Sequence, residues 1–429
     1  MTFVRADFRA STRGMGPLDI AVAGCGPGGL TAALLLKRDG HRVTLFERFE
    51  TPLPIGSGLM VQPTGLAVLE QLGLADVVLQ SGARIDRLIG KAGTGGRVVL
   101  DVRYAALGHR PAFGIGIHRA SLFALLHDAV IAAGIPIATG RTVAGAILDG
   151  ATRHLRFADG NTAGPFDLVV DALGTRTPLA PPTGRSLAYG ALWASLDWPD
   201  GASFDNAALE QRYRRASTMV GVLPIGNGSN NAGRPQVAFF WSLRADRLDE
   251  WRAAGLDAWK AEVLPLWPAC APLLDQIVSP DQLTFAHYAH RTLRNPAEPA
   301  LIHIGDAWHS ASPQLGQGAN MALLDAWALA RGLRESASVA AGLERAIARR
   351  RRHVHLYQRL TALFTPVYQS DSLTLPFVRD RLVGPLSKLW PATWIQAAMV
   401  SGLIGNPLRP LGLDAPRPSR GNEPMWNAA

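Results

Sequence analysis

The sequence predicts an α/β protein in which a parallel-sheet domain is interleaved with a mainly antiparallel-sheet domain and followed by a helical C-terminal region. Three observations support this fold class. An apolar run, a glycine-rich turn and a helical segment follow one another near the N-terminus, and the same order recurs after residue 300. The intervening segments alternate in polarity or are rich in aromatic residues, as antiparallel strands are. After residue 345, Pro and Gly break the apolar stretches into short predicted helices.

The N-terminal unit is a strand, a turn and a helix. Residues 19–23 form an apolar run typical of a buried parallel strand, and residues 30–38 are rich in Ala and Leu, as in a helix. The turn between them contains the spacing G-x-G-x-x-G, which lets a dinucleotide phosphate approach the backbone at the positive end of the helix. We therefore predict a Rossmann-like domain, with a cofactor-binding turn that includes Gly24, Gly26, Gly28 and Gly29.

An acidic residue ends the next predicted strand, residues 42–47. Glu47 stands where dinucleotide-binding domains carry a carboxylate that accepts hydrogen bonds from ribose hydroxyls. We assign Glu47 and the adjacent Arg48 to the cofactor site. Cys25 lies inside the glycine-rich turn, and we expect it to be a small filler because no second cysteine lies nearby.

The second unit follows a strand candidate at residues 300–304. An Asp at the end of a strand, beside a glycine-rich turn, is placed to bind a polyol hydroxyl, and Asp306 has this position. The turn Gly316-Gln317-Gly318 then leads into a helix predicted for residues 320–333. Its backbone N–H groups and the helix N-terminus favour negative charge on whatever lies in the crevice.

In these motifs the chain resembles the class A flavoprotein monooxygenases, the family of para-hydroxybenzoate hydroxylase and the ubiquinone-biosynthesis hydroxylases. The resemblance covers about residues 17–345, and its most specific part is the segment 305–320, which Asp325-Ala326 follows. It implies FAD as the cofactor. The implied contacts are Glu47 with the adenosine ribose, Arg119 of Arg119-Ala120-Ser121-Leu122 beside the flavin, Asp306 with the ribityl chain, Pro313 on the oxygen-reacting face, and Gly316, Gln317 and Gly318 facing the isoalloxazine ring. We also assign Ala319 and Asn320 to the cofactor site, and residues 56–60 match the small-residue stretch near the flavin.

One family motif departs from the pattern. The strand that ends in G-A-D-G in the family reads Asp171-Ala172-Leu173-Gly174 here. Leu173 therefore replaces an Asp for which the resemblance implies roles in flavin phosphate binding and in the reaction with NADPH. Asp171 shares a face with Leu173 if the strand continues, and it is our candidate for a substitute.

The resemblance implies an FAD-dependent monooxygenase that hydroxylates a hydrophobic aromatic or polyketide-like molecule. In the implied cycle, NAD(P)H reduces FAD, O2 adds at flavin C4a to give a hydroperoxide, and one oxygen atom passes to the substrate. His287 and Tyr288 are candidate catalytic residues, since a phenolic substrate needs a proton acceptor. An FAD-linked oxidase or reductase, a halogenase and a non-catalytic flavin-binding protein are the open alternatives.

Composition and charge indicate what kind of protein this is and which partners it binds. The chain has 429 residues, a net charge of +9 and 48% hydrophobic residues, which describes a globular protein. Two cysteines give no disulfide framework, so we expect a cytoplasmic protein. We also expect a monomer or a homodimer, with no metal site and, because no apolar run is long enough to span a membrane, no transmembrane helix. The basic charge suits an anionic cofactor, and no nucleic-acid motif accompanies it. We expect the run 349–352, all arginine, to be the solvated end of a helix; a weak membrane-surface contact through the C-terminal region is the alternative.

The predicted domains are interleaved along the chain. We predict a flexible leader at residues 1–16 and a helical C-terminal region at 346–429. Between them, the FAD-binding domain comprises residues 17–82, 119–180 and 296–345, and the substrate domain comprises residues 83–118 and 181–295.

Overall fold

The computed structural model of the protein describes residues 15–51, 57–108, 112–227 and 234–415. Most of the predicted leader, residue 56 of the small-residue stretch and residues 416–429 of the C-terminal region lie outside the described residues. In the described part of the chain, no helix has both the length and the apolar character needed to span a bilayer.

The strands belong to several sheets, and we number them in chain order. They are β1 Asp19–Ala23, β2 Arg42–Phe46, β3 Gly58–Val61, β4 Ala83–Ile85, β5 Arg87–Ala92, β6 Arg97–Arg103, β7 Gly114–His118, β8 Ile137–Ala138, β9 Val143–Asp149, β10 Thr152–Phe157, β11 Thr162–Phe166, β12 Leu168–Asp171, β13 Arg185–Ser186, β14 Tyr189–Asp197, β15 Ala208–Arg214, β16 Thr218–Asn227, β17 Pro235–Arg244, β18 Thr284–Ala286, β19 Ala289–His290, β20 Ala297–Glu298 and β21 Leu301–His303.

The helices are numbered in the same way. They are α1 Pro27–Arg38, α2 Pro63–Gln71, α3 Ala75–Ser81, α4 Arg119–Ala132, α5 Leu248–Leu266, α6 Ala271–Leu274, α7 Asp306–His309, α8 Gly318–Arg334, α9 Val339–Tyr368, α10 Thr374–Val378, α11 Gly384–Leu386 and α12 Ala392–Val400. A π-helical turn, Arg379–Val383, joins α10 to α11.

A parallel sheet forms the centre of the cofactor-binding part. Its strand order is β20-β21-β12-β1-β2-β8, and all neighbours pair in parallel except β20 with β21. The carboxyl ends of β1, β2, β12 and β21 therefore lie along one edge, where α/β sheets of this kind bind ligands. The glycine-rich turn follows β1 and the Asp306 segment follows β21. Both predicted units therefore place the segment between strand and helix at this edge of the sheet.

A larger sheet carries the aromatic-rich segments. Its order is β18-β14-β17-β16-β15-β5-β6, and the strands are antiparallel except where β15 pairs with β5. Alternate residues of β17 face opposite sides: Phe239 and Trp241 pack against Trp259 of α5, whereas the Phe240 ring lies 4.6 Å from that of Trp193. The α/β fold class with a second, mainly antiparallel sheet and C-terminal helices is confirmed.

The arginine run does not end a helix, so that prediction is wrong. Residues 349–352 lie in the middle of α9, which has 30 residues. Arg350 is 1% exposed and its Nε donates to Asp325 of α8 at 2.8 Å, while Arg351 and Arg352 are exposed. Because α9 packs along α8, one face of the run is buried, and a buried cation requires an anionic partner.

Candidate active site

The two glycine-rich turns lie against each other at the carboxyl edge of the parallel sheet. A Cβ built on Gly28, in the first turn of α1, would lie 3.1 Å from the Cβ of Ala322 in α8, and one on Gly305 would lie 2.9 Å from the same atom. The segments are separated by nearly 300 residues in sequence, yet the first turn of α1 packs against α8 close to the N-terminus of that helix. Their free N–H groups favour negative charge at a shared site.

The glycines of the first turn have different roles. Gly24 has φ of 103°, a left-handed conformation that favours glycine, and a Cβ on Gly29 would lie 2.0 Å from the Gly24 carbonyl oxygen. Gly26 differs: its φ is −69°, and a Cβ there would have no atom of the described residues within 4 Å. Packing therefore does not require glycine at position 26. The space beside it, at the N-terminus of α1, fits a pyrophosphate.

Glu47 lies beside this turn, as predicted. Its Oε2 accepts a hydrogen bond from the Cys25 N–H at 3.0 Å, and its Oε1 accepts from the Arg48 N–H at 2.8 Å. Arg48 itself is exposed, with its guanidinium 4.5 Å from the Phe49 ring centroid. Burial, and then the Glu47 charge, raise the pKa of the Cys25 thiol to about 12, which fits a small filler and not a redox thiol.

Asp306 begins α7, shortly after the end of β21. Its side chain is exposed, although many protein atoms lie around the carboxyl group. Burial raises the pKa of this carboxyl group, against the opposing influence of His309 and Arg119. Asp306 and Arg119, which are far apart in sequence, therefore lie within electrostatic range of each other. The exposed Arg119 begins α4, and its N–H donates to the Ser57 carbonyl oxygen at 2.7 Å.

Replacement of Asp306 by Ala is expected to weaken FAD binding about 10- to 100-fold, the effect of losing a hydrogen bond to a charged group. Because the carboxyl pKa is raised, acidification protonates it from a pH above its ordinary 3.8, and FAD affinity should fall with it. A fluorescence titration of the apoprotein with FAD over a range of pH measures both effects. Asp128→Ala is a matched control, since the Asp128 side chain is 83% exposed; equal affinities of the two variants would contradict the assignment.

Asn320 holds the second turn in place. Its Nδ2 donates to the carbonyl oxygens of Met60 and Gly316, both at 3.0 Å, and its Oδ1 accepts from the Gln62 N–H at 2.7 Å. The Asn320 side chain is fully buried, so it shapes the turn and does not itself face the open site. Gly316, at φ 61°, adopts the left-handed conformation that this turn needs.

Gly318 is the counterpart of Gly26 on the second turn. It is exposed at the start of α8, and a Cβ there would have no described atom within 4 Å. Gln317, directly before it, is buried and its Nε2 donates to the Val400 carbonyl oxygen at 2.6 Å. Pro313 is exposed and begins a short 3-10 turn, Pro313–Leu315, that precedes Gly316. Ala319, which follows Gly318 in α8, is half-buried. Space is thus open at the N-termini of both α1 and α8. The backbone N–H groups there, and the open space beside them, fit FAD.

The candidate catalytic residues follow β18 and do not lie within a strand. His287 is exposed, with its ring 4.8 Å from that of Phe285. Tyr288 is half-buried, and its hydroxyl oxygen accepts a hydrogen bond from the Trp193 Nε1–H at 2.9 Å. Burial raises the pKa of Tyr288 to about 12, and the Arg119 charge opposes that shift, so Tyr288 lies near Arg119. The catalytic roles of His287 and Tyr288 stay a prediction.

Asp171 cannot replace the missing Asp at position 173, so that expectation is wrong. Its side chain is fully buried: Oδ1 accepts from the Leu173 N–H at 3.0 Å, and Oδ2 lies 2.6 Å from both Thr177 Oγ1 and His303 Nδ1. These contacts direct the carboxylate into the protein between β12 and β21. Leu173 itself is half-buried in the turn after β12.

Sequence reasoning missed a polar chain behind Arg119. The Nδ1 of His118 accepts from the Ala120 N–H at 3.0 Å, its Nε2 lies 3.0 Å from Ser195 Oγ, and that hydroxyl lies 2.8 Å from Ser57 Oγ. Burial lowers the pKa of His118, which favours a neutral ring with its proton on Nε2. No sequence spacing signals this chain, because its members lie on β7, on β14 and directly before β3, three segments that are far apart in sequence.

A second missed feature is a buried ionic cluster around Asp325. The Asp325 carboxylate accepts from the Gly305 N–H at 3.0 Å, from His309 Nε2 at 2.6 Å and from Arg350 Nε at 2.8 Å. Arg350 in turn contacts His353 Nδ1 at 2.8 Å. Through these hydrogen bonds, Asp325 of α8 connects the segment around Asp306 with α9. The Asp325-Ala326 pair was visible in the sequence, but its partner on α9 was not.

Comparison with known families agrees with this geometry. Residues 17–359 match the family described as an FAD binding domain, which is well over half of the chain. The chain belongs to this family, that of the class A flavoprotein monooxygenases. The predicted family, the FAD cofactor and the oxidoreductase class of this flavoprotein monooxygenase are confirmed.

Several relatives have assigned activities. The 6-hydroxynicotinate 3-monooxygenase of Pseudomonas fluorescens is 24% identical to this flavoprotein monooxygenase over 344 residues, which cover 74% of the present chain and 82% of the relative. The aurachin C monooxygenase/isomerase of Stigmatella aurantiaca is 27% identical over 348 residues, with 76% and 84% coverage. The crystal structure of Klebsiella pneumoniae HpxO complexed with FAD and uric acid has a TM-score of 0.77 at 20% identity, covering 91% and 98% of the two chains. This structural likeness shows the fold.

Proposed function

We propose that this flavoprotein monooxygenase uses NAD(P)H and O2 to hydroxylate a small hydrophobic aromatic molecule. The single observation that carries the proposal is the meeting of the two open helix N-termini, at Gly26 and Gly318, beside the Asp306 carboxylate. The names of relatives support the substrate class, since they include 6-hydroxynicotinate 3-monooxygenase and 3-amino-4-hydroxybenzoate 2-monooxygenase. Bound FAD would supply the redox chemistry, by taking electrons from a nicotinamide and activating O2.

The residues of the two turns would hold and polarise the cofactor. The N–H groups at the start of α1 would receive the pyrophosphate beside Gly26, and Glu47 would accept from the adenosine ribose. Asp306 would accept from the ribityl hydroxyls. The turn at Gly316 and the N-terminus of α8 present positive potential, which would stabilise negative charge on a reduced ring.

Buried polar groups lie beside the second turn and hold it in place. A Cβ on Gly316 would lie 3.7 Å from Gln62 Nε2, and Gln62 Oε1 accepts from the Tyr104 hydroxyl at 2.6 Å. Both side chains are fully buried, and Met60 adjoins them. Like Asn320, these side chains shape the turn from within the protein and do not face the open site.

Tyr288 is our choice for the residue that contacts the substrate. Its hydroxyl oxygen already accepts from Trp193, and among the described residues we find no acceptor for its own proton. Tyr288 would therefore donate to an oxygen atom of the substrate. A group with a pKa of about 12 stays protonated at neutral pH, as this role requires.

Anaerobic mixing tests the proposed function. The purified yellow holoprotein should be bleached by NADH or NADPH, at least about 10-fold faster when the substrate is present, and oxygen uptake in air should show the same stimulation. The survey includes phenols, hydroxypyridines and hydroxyquinolones, with Tyr288→Phe measured beside the wild type. Bleaching by an organic substrate alone, and by neither nucleotide, would contradict the proposal and indicate an oxidase.

A further inference from the structure

The C-terminal region carries an extended exposed apolar surface. Residues 373–389 and α12 are joined by a short connection and by a hydrogen bond from Gln396 to Ser387; we call these two segments the arms of a hairpin, and their exposed apolar side chains the apolar hairpin face. Its exposed side chains are Leu373, Leu375, Phe377, Val378, Leu382, Val383, Leu386, Leu389, Trp390, Trp394 and Ile395, with Trp390 83% exposed. Elsewhere in the described residues, large exposed hydrophobic side chains occur singly or in pairs. A concentration of this kind marks a contact surface.

The first arm is anchored firmly, so its exposure is not that of a loosely packed segment. Arg379 is 1% exposed, and its guanidinium lies over the rings of Tyr213 and Tyr368 at 4.8 and 5.4 Å from their centroids. It also donates to the carbonyl oxygens of Val367 and Arg215. With this arginine fixed inside, the apolar side chains on either side of it are held outward.

The second arm is attached to the site itself. The last residues of α12, Ala397–Val400, are buried, and the Val400 carbonyl oxygen accepts from Gln317. Gln396 Nε2 donates to the Ser387 carbonyl oxygen at 2.8 Å, which ties the two arms together. The hairpin therefore has an inner side that rests on the protein and an outer side left for another partner.

The charges of the hairpin favour an anionic partner. Within residues 373–400 the only acid is Asp380, and its Oδ1 accepts from Arg379 Nε at 2.7 Å. Arg381 and Lys388 are exposed among the apolar side chains. A second copy of the chain would bring the same cations and the same net charge of +9, and would be repelled. An anionic lipid surface would attract them.

We propose that the apolar hairpin face binds an anionic lipid surface. Trp390 and Trp394 lie at or next to the tip of the hairpin, and tryptophan favours the boundary between headgroups and acyl chains. Leu386 and Leu389 insert into the lipid layer beside the two tryptophans, while Arg381 and Lys388 pair with lipid phosphates. The contact is peripheral, since only the outer side of a short hairpin takes part.

Sedimentation with vesicles tests this proposal on the full-length holoprotein. The protein should bind vesicles that contain phosphatidylglycerol at least about 10-fold more tightly than pure phosphatidylcholine vesicles, and salt raised from about 0.1 M to about 0.5 M should weaken binding. The variant Leu389→Ser with Trp390→Ser should lose at least about 10-fold in vesicle affinity. The matched control is Ile147→Ser with Leu148→Ser, another exposed apolar pair, 51% and 44% exposed, on β9.

Equal vesicle binding by the two double variants would overturn the proposal, as would failure of the wild type to sediment with anionic vesicles. A wild-type dimer in lipid-free solution that the hairpin variant converts to a monomer would also overturn it, because the face would then be a subunit interface. FAD content and NAD(P)H-dependent bleaching of each variant are measured without lipid. Failure of the proposed function is therefore seen separately from failure of lipid binding.

Discussion

Gly26→Val is expected to weaken FAD binding by at least about 100-fold while the apoprotein remains folded. The backbone at Gly26 has φ of −69° and ψ of 171°, which valine adopts, and a Cβ there meets no described atom within 4 Å. The loss of glycine at the start of a helix costs below about 1 kcal/mol. The valine side chain would instead occupy the space that the pyrophosphate needs. FAD titration gives the affinity, and thermal unfolding of the apoprotein gives its stability.

Gly318→Val should have a similar effect at the other end of the cofactor, since its Cβ also enters open space. Gly95→Val provides the control, because Gly95 likewise has no described atom within 4 Å of its built Cβ but lies between β5 and β6. Wild-type FAD affinity in both Gly26→Val and Gly318→Val would refute the assignment of the site. Unfolded apoprotein in either variant would also contradict the prediction, because the added side chain would then contact the protein and not enter open space.

Asp325→Leu should lower the free energy of unfolding by about 3–5 kcal/mol, because it leaves the buried Arg350 without its anion. In a domain of this size the melting temperature should fall by roughly 10 °C. The double variant Asp325→Leu with Arg350→Leu should be more stable than Asp325→Leu alone, since no unpaired charge remains buried. Arg351→Leu, at the exposed neighbouring position, should change stability by no more than about 0.5 kcal/mol.

The same cluster gives a dependence on pH. Burial alone would raise the pKa of Asp325, but His309 and Arg350 lower it to about 2 from its ordinary 3.8. The carboxylate therefore stabilises the fold above pH 3.8, and this contribution is lost as pH falls toward 2. Thermal unfolding between these limits should show the loss in the wild type and not in Asp325→Leu. A double variant less stable than the single one, or parallel pH profiles, would contradict this account.

Residues governed by local rules could be predicted from the sequence. Gly24, Gly26 and Gly29 have their roles because a strand, a tight turn and a helix leave few alternatives at each position. Asp306 and Gly318 follow from the corresponding turn after β21. Their meeting could also be inferred, since parallel strands bring their carboxyl ends to one edge of the sheet.

Residues whose surroundings depend on packing between distant segments could not be predicted. Arg350 was expected in solvent because its neighbours in sequence are arginines, whereas its environment is set by α8, where Asp325 lies. Asp171 was expected to face the site, but β21 contributes His303 on its other side and takes the carboxylate inward. With Leu173 in the turn after β12 and Asp171 directed inward, the proposed reduction of the flavin by NAD(P)H would proceed without a carboxylate from these two positions.

The central claim is that one FAD molecule is bound between the turn after β1 and the turn after β21. A crystal structure of the yellow holoprotein tests it most directly. We expect density for the pyrophosphate beside Gly26 at the N-terminus of α1, with the ribityl chain at Asp306 and the isoalloxazine ring at Gly316–Gly318. Flavin density elsewhere, with both helix N-termini filled by solvent, would contradict the account.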